Sequence, residues 1–75
     1  MFDRITTQPG VLNGKPIIRG TRISVEFILE LVASGGSLVE IVRNYPDLSE
    51  EDVRQAIQFA ANSMRNDIYL TSGVS

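Results

Sequence analysis

Cysteine and histidine are both absent from this 75-residue sequence. Without cysteine, no disulfide can supplement the core of a chain this short, which hides only ~60% of the surface its unfolded form exposes. Without either residue, the usual zinc and iron ligand sets cannot be assembled, and the commonest general base and both halves of a thiol–imidazole pair are missing. Catalysis and transition-metal binding are therefore not expected, and no catalytic residue, metal ligand or cofactor is assigned. Long apolar runs are lacking too. None approaches the ~20 residues that span a bilayer, and the opening Met-Phe-Asp-Arg does not have the layout of a secretion signal, so the expected setting is the cytoplasm with no membrane partner. What is present, 43% apolar and 21% charged residues, is the balance of one ordinary globular domain.

Charge is unevenly placed. Residues 1–22 carry Arg4, Lys15, Arg19 and Arg22 against Asp3 alone, whereas residues 23–75 carry three arginines against eight acids. An anionic partner is thus expected at the amino-terminal end, and Arg4, Lys15, Arg19 and Arg22 are the candidate DNA-binding residues.

Turn-forming residues crowd the first third: Pro9-Gly10, Asn13-Gly14, Pro16 and Gly20 leave pieces too short for a helix. Asn13-Gly14 suits a type I′ turn, so a hairpin is expected between Val11-Leu12 and Lys15-Pro16-Ile17-Ile18. Pro16 lacks an amide donor and restricts its strand to an edge. An isoleucine-rich edge invites a second copy, which makes Val11, Leu12, Ile17 and Ile18 the candidate interface of a homodimer.

From Ser24 onward the apolar period is about 3.6, and caps mark three helices. Ser24 caps the first, Val25 to about Ser34, with Ile23 and Ile28 as a hydrophobic staple and Gly35-Gly36 as the exit. Ser37 and Glu40 form a capping box for the second, whose apolar positions Leu38, Ile41, Val42 and Tyr45 end at Pro46. Ser49 and Asp52 form a weaker box for the third, with Leu48 and Val53 as staple and Val53, Ala56, Ile57, Ala60 and Met64 on one face to about Met64. The expected fold is mainly α: a three-helix, homeodomain-like helix-turn-helix unit (24–65) behind a small β-hairpin element (1–23), with 66–75 as a flexible tail, all one domain.

Glu50-Glu51-Asp52 reads more simply as first-turn acids complementing a helix dipole than as catalytic or metal-binding carboxylates. The same acids argue against docking of the third helix in a DNA groove, because DNA affinity comes mainly from cations. The alternative surface is the ribbon Lys15 to Arg22, whose guanidinium forks suit phosphates or carboxylates. The competing reading is that Arg19 and Arg22 tie the β element to Glu26, Glu30 or other acids, with Lys15 only a solvated turn residue. The aromatic residues Tyr45, Phe59 and Phe27 read as core or interface. Ile68-Tyr69-Leu70 is an apolar triplet in a polar tail and reads as a docking segment, the alternative being that it folds back on the domain.

The string Ile5 to Ile23, with Gly14-Lys15-Pro16 and Arg19-Gly20-Thr21-Arg22-Ile23 as its most specific parts, resembles the domain of unknown function family 433. The resemblance continues through Leu29-Glu30-Leu31, Gly35-Gly36-Ser37, Tyr45-Pro46-Asp47-Leu48 and Asp52-Val53-Arg54-Gln55-Ala56. It implies a homeodomain-like fold and similarity to VapB-type antitoxins, which pair with a PIN-like, metal-dependent ribonuclease toxin. On that basis the expected function is neutralisation of such a toxin by direct binding, with autoregulatory binding of operator DNA as a second role. Arg65, Ile68, Tyr69 and Leu70 are the candidate toxin-binding residues, and Arg65 is also explicable as a helix-end cation. The alternatives are a free-standing helix-turn-helix regulator and a structural homodimer that binds no DNA.

Overall fold

In the computed structural model of the chain, the described residues are 2–74 for the backbone and 2–65 for the side chains. Two short strands, β1 (Ile5–Thr6) and β2 (Ile17–Ile18), precede three helices, α1 (Val25–Ala33), α2 (Leu38–Asn44) and α3 (Glu50–Val74). The mainly helical architecture behind a β-hairpin element is the one the sequence predicts, and the helix starts fall where the caps place them.

Each start has a physical cause. The Ser24 hydroxyl accepts from the Phe27 amide, the Ser37–Glu40 box is closed in both directions, and Ser49 and Asp52 exchange the same pair of bonds at α3. Between α1 and α2 the chain turns at Gly35 (φ +98°) and then Gly36, where an added Cβ would lie 2.9 Å from the Leu31 carbonyl oxygen. That close approach brings Ile41 under the end of α1.

The sheet differs from the expected hairpin. β2 pairs antiparallel with β1, Ile5 opposite Ile18 and Thr6 opposite Ile17, not with Val11-Leu12. Leu12, Asn13 and Gly14 all have positive φ (49°, 58° and 78°), so the chain coils through a single 3-10 turn there instead of reversing between two strands. Ile5 is the better strand residue because its side chain reaches the core, whereas Leu12 stays 44% exposed.

The expected dimer edge is also corrected. Ile17 and Ile18 are fully buried within the single chain, leaving their side chains no surface for a second copy. The far side of β2 is already occupied: Ile18 donates to the Ile23 carbonyl, and the Val25 amide donates to the Pro16 carbonyl. Self-association through this edge would require dismantling the fold.

The core gathers Ile5, Ile18, Val25, Ile28, Ile41, Leu48, Val53 and Ala56, one or more from every element. A fully buried isoleucine contributes roughly 1.5–3 kcal/mol, so Ile18 and Ile28 are major anchors. Two edge-to-face aromatic pairs flank it, Phe27 with Tyr45 and Phe2 with Phe59, each with ring centroids 5.5 Å apart. On α3 the buried face is rotated from the predicted one. Asp52, Val53, Gln55 and Ala56 are buried, while Ile57 and Met64 are 39% and 55% exposed. The helix also passes Met64, because no proline or glycine stands between Pro46 and Gly73 to stop it. The expected flexible tail, 66–75, is thus helical to Val74 in backbone, and its side chains lie outside the described residues.

Candidate binding surface

The amino-terminal segment is fastened to the start of α3 by a polar clasp. Arg4 Nε donates to Asp52 Oδ1, and the Ser49 amide donates to Asp52 Oδ2 at 3.0 Å. Gln55 closes the other side: its Oε1 accepts from the Arg4 amide at 2.9 Å and its Nε2 donates to Asp3 Oδ1 at 2.8 Å. Burial would push the Asp52 carboxyl up, but the Arg4 hydrogen bond, the Ser49 amide and the Arg4 charge outweigh it and hold the group below its ordinary value. The Gln55 hydrogen bond lowers Asp3 in the same direction. The Asp52 side chain is only 1% exposed, so this ion pair is a structural fastening.

Two of the four candidate DNA-binding cations are therefore engaged inside the chain. Arg4 belongs to the clasp, and Lys15 is paired with Glu26 at 2.8 Å, which raises the lysine and lowers the glutamate. Lys15 is more than a solvated turn residue. Arg19 does not reach Glu26 or Glu30; its Nε donates to the Asp3 carbonyl oxygen at 2.8 Å. Arg22 is exposed and has no ion pair among the described residues.

The string carrying Arg19 and Arg22 is a tight turn. The Thr21 amide donates to the Ile18 carbonyl at 3.0 Å, and Gly20 takes the positive φ (+81°) that the third position of a type II turn requires. The Thr21 hydroxyl donates to the Ile18 carbonyl and accepts from the Ile23 amide, locking the exit. Gly20 and Thr21 thus have structural roles that explain the motif locally.

The first-turn acids of α3 divide by environment. Asp52 is buried in the clasp, while Glu50 and Glu51 are exposed and lie 3.5 and 3.9 Å from Arg54. Among the described residues, no cluster of three acidic, histidine or cysteine side chains converges on a point that could hold a metal ion. No helix of the described residues is long and apolar enough to cross a membrane.

An apolar groove of about 390 Å³ runs between α1 and α3 beside the Lys15–Pro16 bend. Pro16, Val25, Leu29, Phe59, Ala60 and Met64 line it, with Lys15, Glu26 and Ser63 supplying its polar atoms. Sequence reading missed this groove, assigning Met64 to the core and Lys15 to solvent. On α3 the small Ala60 and Ser63 leave room between the larger Phe59 and Met64.

Of the candidate toxin-binding residues, Arg65 is exposed directly after Met64. It sits within α3, so it is not the helix-end cation that the bland reading supposed. The side chains of Ile68, Tyr69 and Leu70 lie outside the described residues. Val11 is half-buried and Leu12 exposed in the left-handed turn.

Comparison with known proteins places the chain. It is 37% identical over 62 residues to the uncharacterized protein y4eO of Sinorhizobium fredii, an alignment covering 81% of this chain and 28% of that relative, so the chain spans less than a third of the relative's length. The crystal structure of a DUF433 member from Anabaena variabilis has the same fold, with a TM-score of 0.75 and 31% identity over 92% of this chain and 69% of that one. The family described as protein of unknown function (DUF433) matches residues 5–60, and the chain, sharing that fold and that stretch of sequence, belongs to it.

Proposed function

We propose that this chain is the antitoxin half of a type II toxin–antitoxin pair and neutralises a PIN-like ribonuclease by stoichiometric binding. The observation that carries the reading is the open groove between α1 and α3, where Leu29, Phe59, Ala60 and Met64 offer apolar surface to a protein partner. Arg65 is exposed but projects from the side of α3 turned away from Phe59, Ala60, Ser63 and Met64, so its cation meets an acidic metal site only on a partner that wraps around the helix. The charge inventory favours protein over DNA as the main partner. Arg4 and Lys15 are spent on Asp52 and Glu26, and α3 opens with the exposed acids Glu50 and Glu51 where a helix-turn-helix meets the major groove. Operator binding is the secondary role in this reading, exerted through the toxin-bound complex.

The test is co-expression with the product of the neighbouring reading frame, followed by co-purification and a growth assay. The wild-type chain co-purifies and restores growth. Met64→Glu, a change at a 55% exposed position, keeps the melting temperature but weakens the complex by about tenfold or more, ~1.4 kcal/mol. Failure of the wild-type chain to bind, or full binding by Met64→Glu, overturns the reading.

A further inference from the structure

The Arg19–Arg22 turn is only half explained by folding. Gly20 is needed for its positive φ and Thr21 for its two hydroxyl bonds, whereas the guanidinium at position 19 makes one exposed bond outside the turn and that at position 22 makes none among the described residues. The Arg19 Nε donates to the Asp3 carbonyl, which restrains the group and leaves its two terminal nitrogens without a partner among the described residues. Arg22 stands exposed, three positions on, after a turn that Thr21 holds rigid. Two planar forks on one stiff turn are suited to paired parallel bonds with anionic oxygens.

We propose that this turn is a recognition site for carboxylates on a protein partner, an Asp or Glu pair gripped by Arg19 and Arg22. This deepens the adhesion reading above and rests on it for the partner's being a protein. The count of cations decides between carboxylate and phosphate. Affinity for a duplex is built from many phosphate contacts, each made by a cation that displaces counterions. Here the amino-terminal end offers only Arg19, through its two terminal nitrogens, and Arg22 as cations without an ionic partner among the described residues. That is too little charge to hold a duplex and enough to hold one or two carboxylates. The rigid tether also favours a single, oriented contact over the sliding contacts of a polyphosphate surface.

The site is tested without the toxin by titrating the ¹⁵N-labelled chain with a hexaglutamate peptide and, separately, with a short random-sequence DNA duplex at physiological salt. The side-chain Nε resonances of Arg19 and Arg22 shift with the peptide, and those of the exposed Arg43 and Arg65 do not. Arg19→Ala/Arg22→Ala abolishes peptide binding while the chain stays folded, with its melting temperature lowered only by the loss of the exposed Arg19–Asp3 bond, and Arg19→Lys/Arg22→Lys recovers only part of the binding because the forks are lost. Equal shifts at all four arginines, no shift at any, or tighter binding of the duplex than of the peptide overturns the proposal. In the toxin complex the double alanine variant weakens binding at least tenfold and flattens its salt dependence. A complex that forms equally well with the double variant refutes the turn's role and leaves the groove reading standing, whereas a wild-type chain that binds the peptide but no toxin refutes the groove reading alone.

Discussion

Replacing Asp52 with Ala removes two things at once. The Ser49 amide loses its acceptor, which is one half of the α3 capping box, and Arg4 loses its anionic partner. Loss of a cap costs about 1 kcal/mol, and loss of a charge-assisted hydrogen bond at a buried carboxylate about 1.5–3 kcal/mol. Arg4 is 41% exposed, so water can take over its solvation and adds little to the cost. The expected loss is therefore ~3 kcal/mol out of the ~5–15 kcal/mol that a small domain possesses. With a urea slope of ~1 kcal/mol/M for a chain this short, the unfolding midpoint falls by ~2–3 M. Asp52→Asn keeps an oxygen for the Ser49 amide and gives up only the charge, so it costs about half as much. Urea titrations of the three proteins at neutral pH decide the matter. A loss under ~0.5 kcal/mol for Asp52→Ala, or equal losses for both variants, refutes the clasp as described. The pH dependence has a fixed sign. Asp52 and Asp3 titrate lower in the folded chain than in the unfolded one, so their contribution is present above the ordinary carboxylate pKa of ~3.9 and disappears as the solution is acidified through and below it. The wild type should lose stability on acidification more steeply than Asp52→Asn.

Other substitutions test the local geometry. Gly36→Ala places a methyl 2.9 Å from the Leu31 carbonyl oxygen, and the backbone shift this forces should cost ~1–3 kcal/mol by thermal or urea unfolding; an unchanged midpoint would mean that the α1–α2 corner is looser than described. Thr21→Val strips both hydroxyl bonds and leaves the Ile23 amide without its acceptor, an expected loss of ~1–2 kcal/mol, refuted by wild-type stability. Leu12→Asn should raise the melting temperature by a few degrees, because asparagine tolerates the left-handed conformation that leucine adopts there at a cost of ~1 kcal/mol. A lowered melting temperature would show that the leucine side chain contributes more to stability than its backbone costs.

What the sequence disclosed was governed by local physics. Ser24, Ser37 and Ser49 announced all three helix starts because a cap and its amide are three residues apart. Gly35-Gly36 announced the first corner for the same reason. The pairing of Ile5 with Ile18 was not readable, since the Asn13-Gly14 signal for a near turn is indistinguishable in sequence from the left-handed coil it became. The clasp was hidden for a related reason. Gln55 and Asp3 are 52 positions apart, and a glutamine beside a capping aspartate gives no hint that both face inward. Period alone put Ile57 and Met64 in the core because it counts apolar side chains; Asp52 and Gln55 took the buried places instead once Arg4 and Asp3 arrived to satisfy them. The candidate site was partly legible: the Arg19 to Arg22 turn was singled out, whereas the groove needed the third dimension.

The distance that the clasp bridges along the chain also sets the order of birth. Asp3 and Arg4 are synthesised well ahead of their partners: Asp52 lies 48 positions beyond Arg4, and Gln55 lies 52 positions beyond Asp3. A polypeptide that ends before residue 52 leaves Phe2 and Ile5 with no α3 to pack against, and exposed apolar surface of that kind invites aggregation. The polar clasp and the Phe2–Phe59 contact therefore form together, once α3 is present, and the amino-terminal segment has no folded place before then.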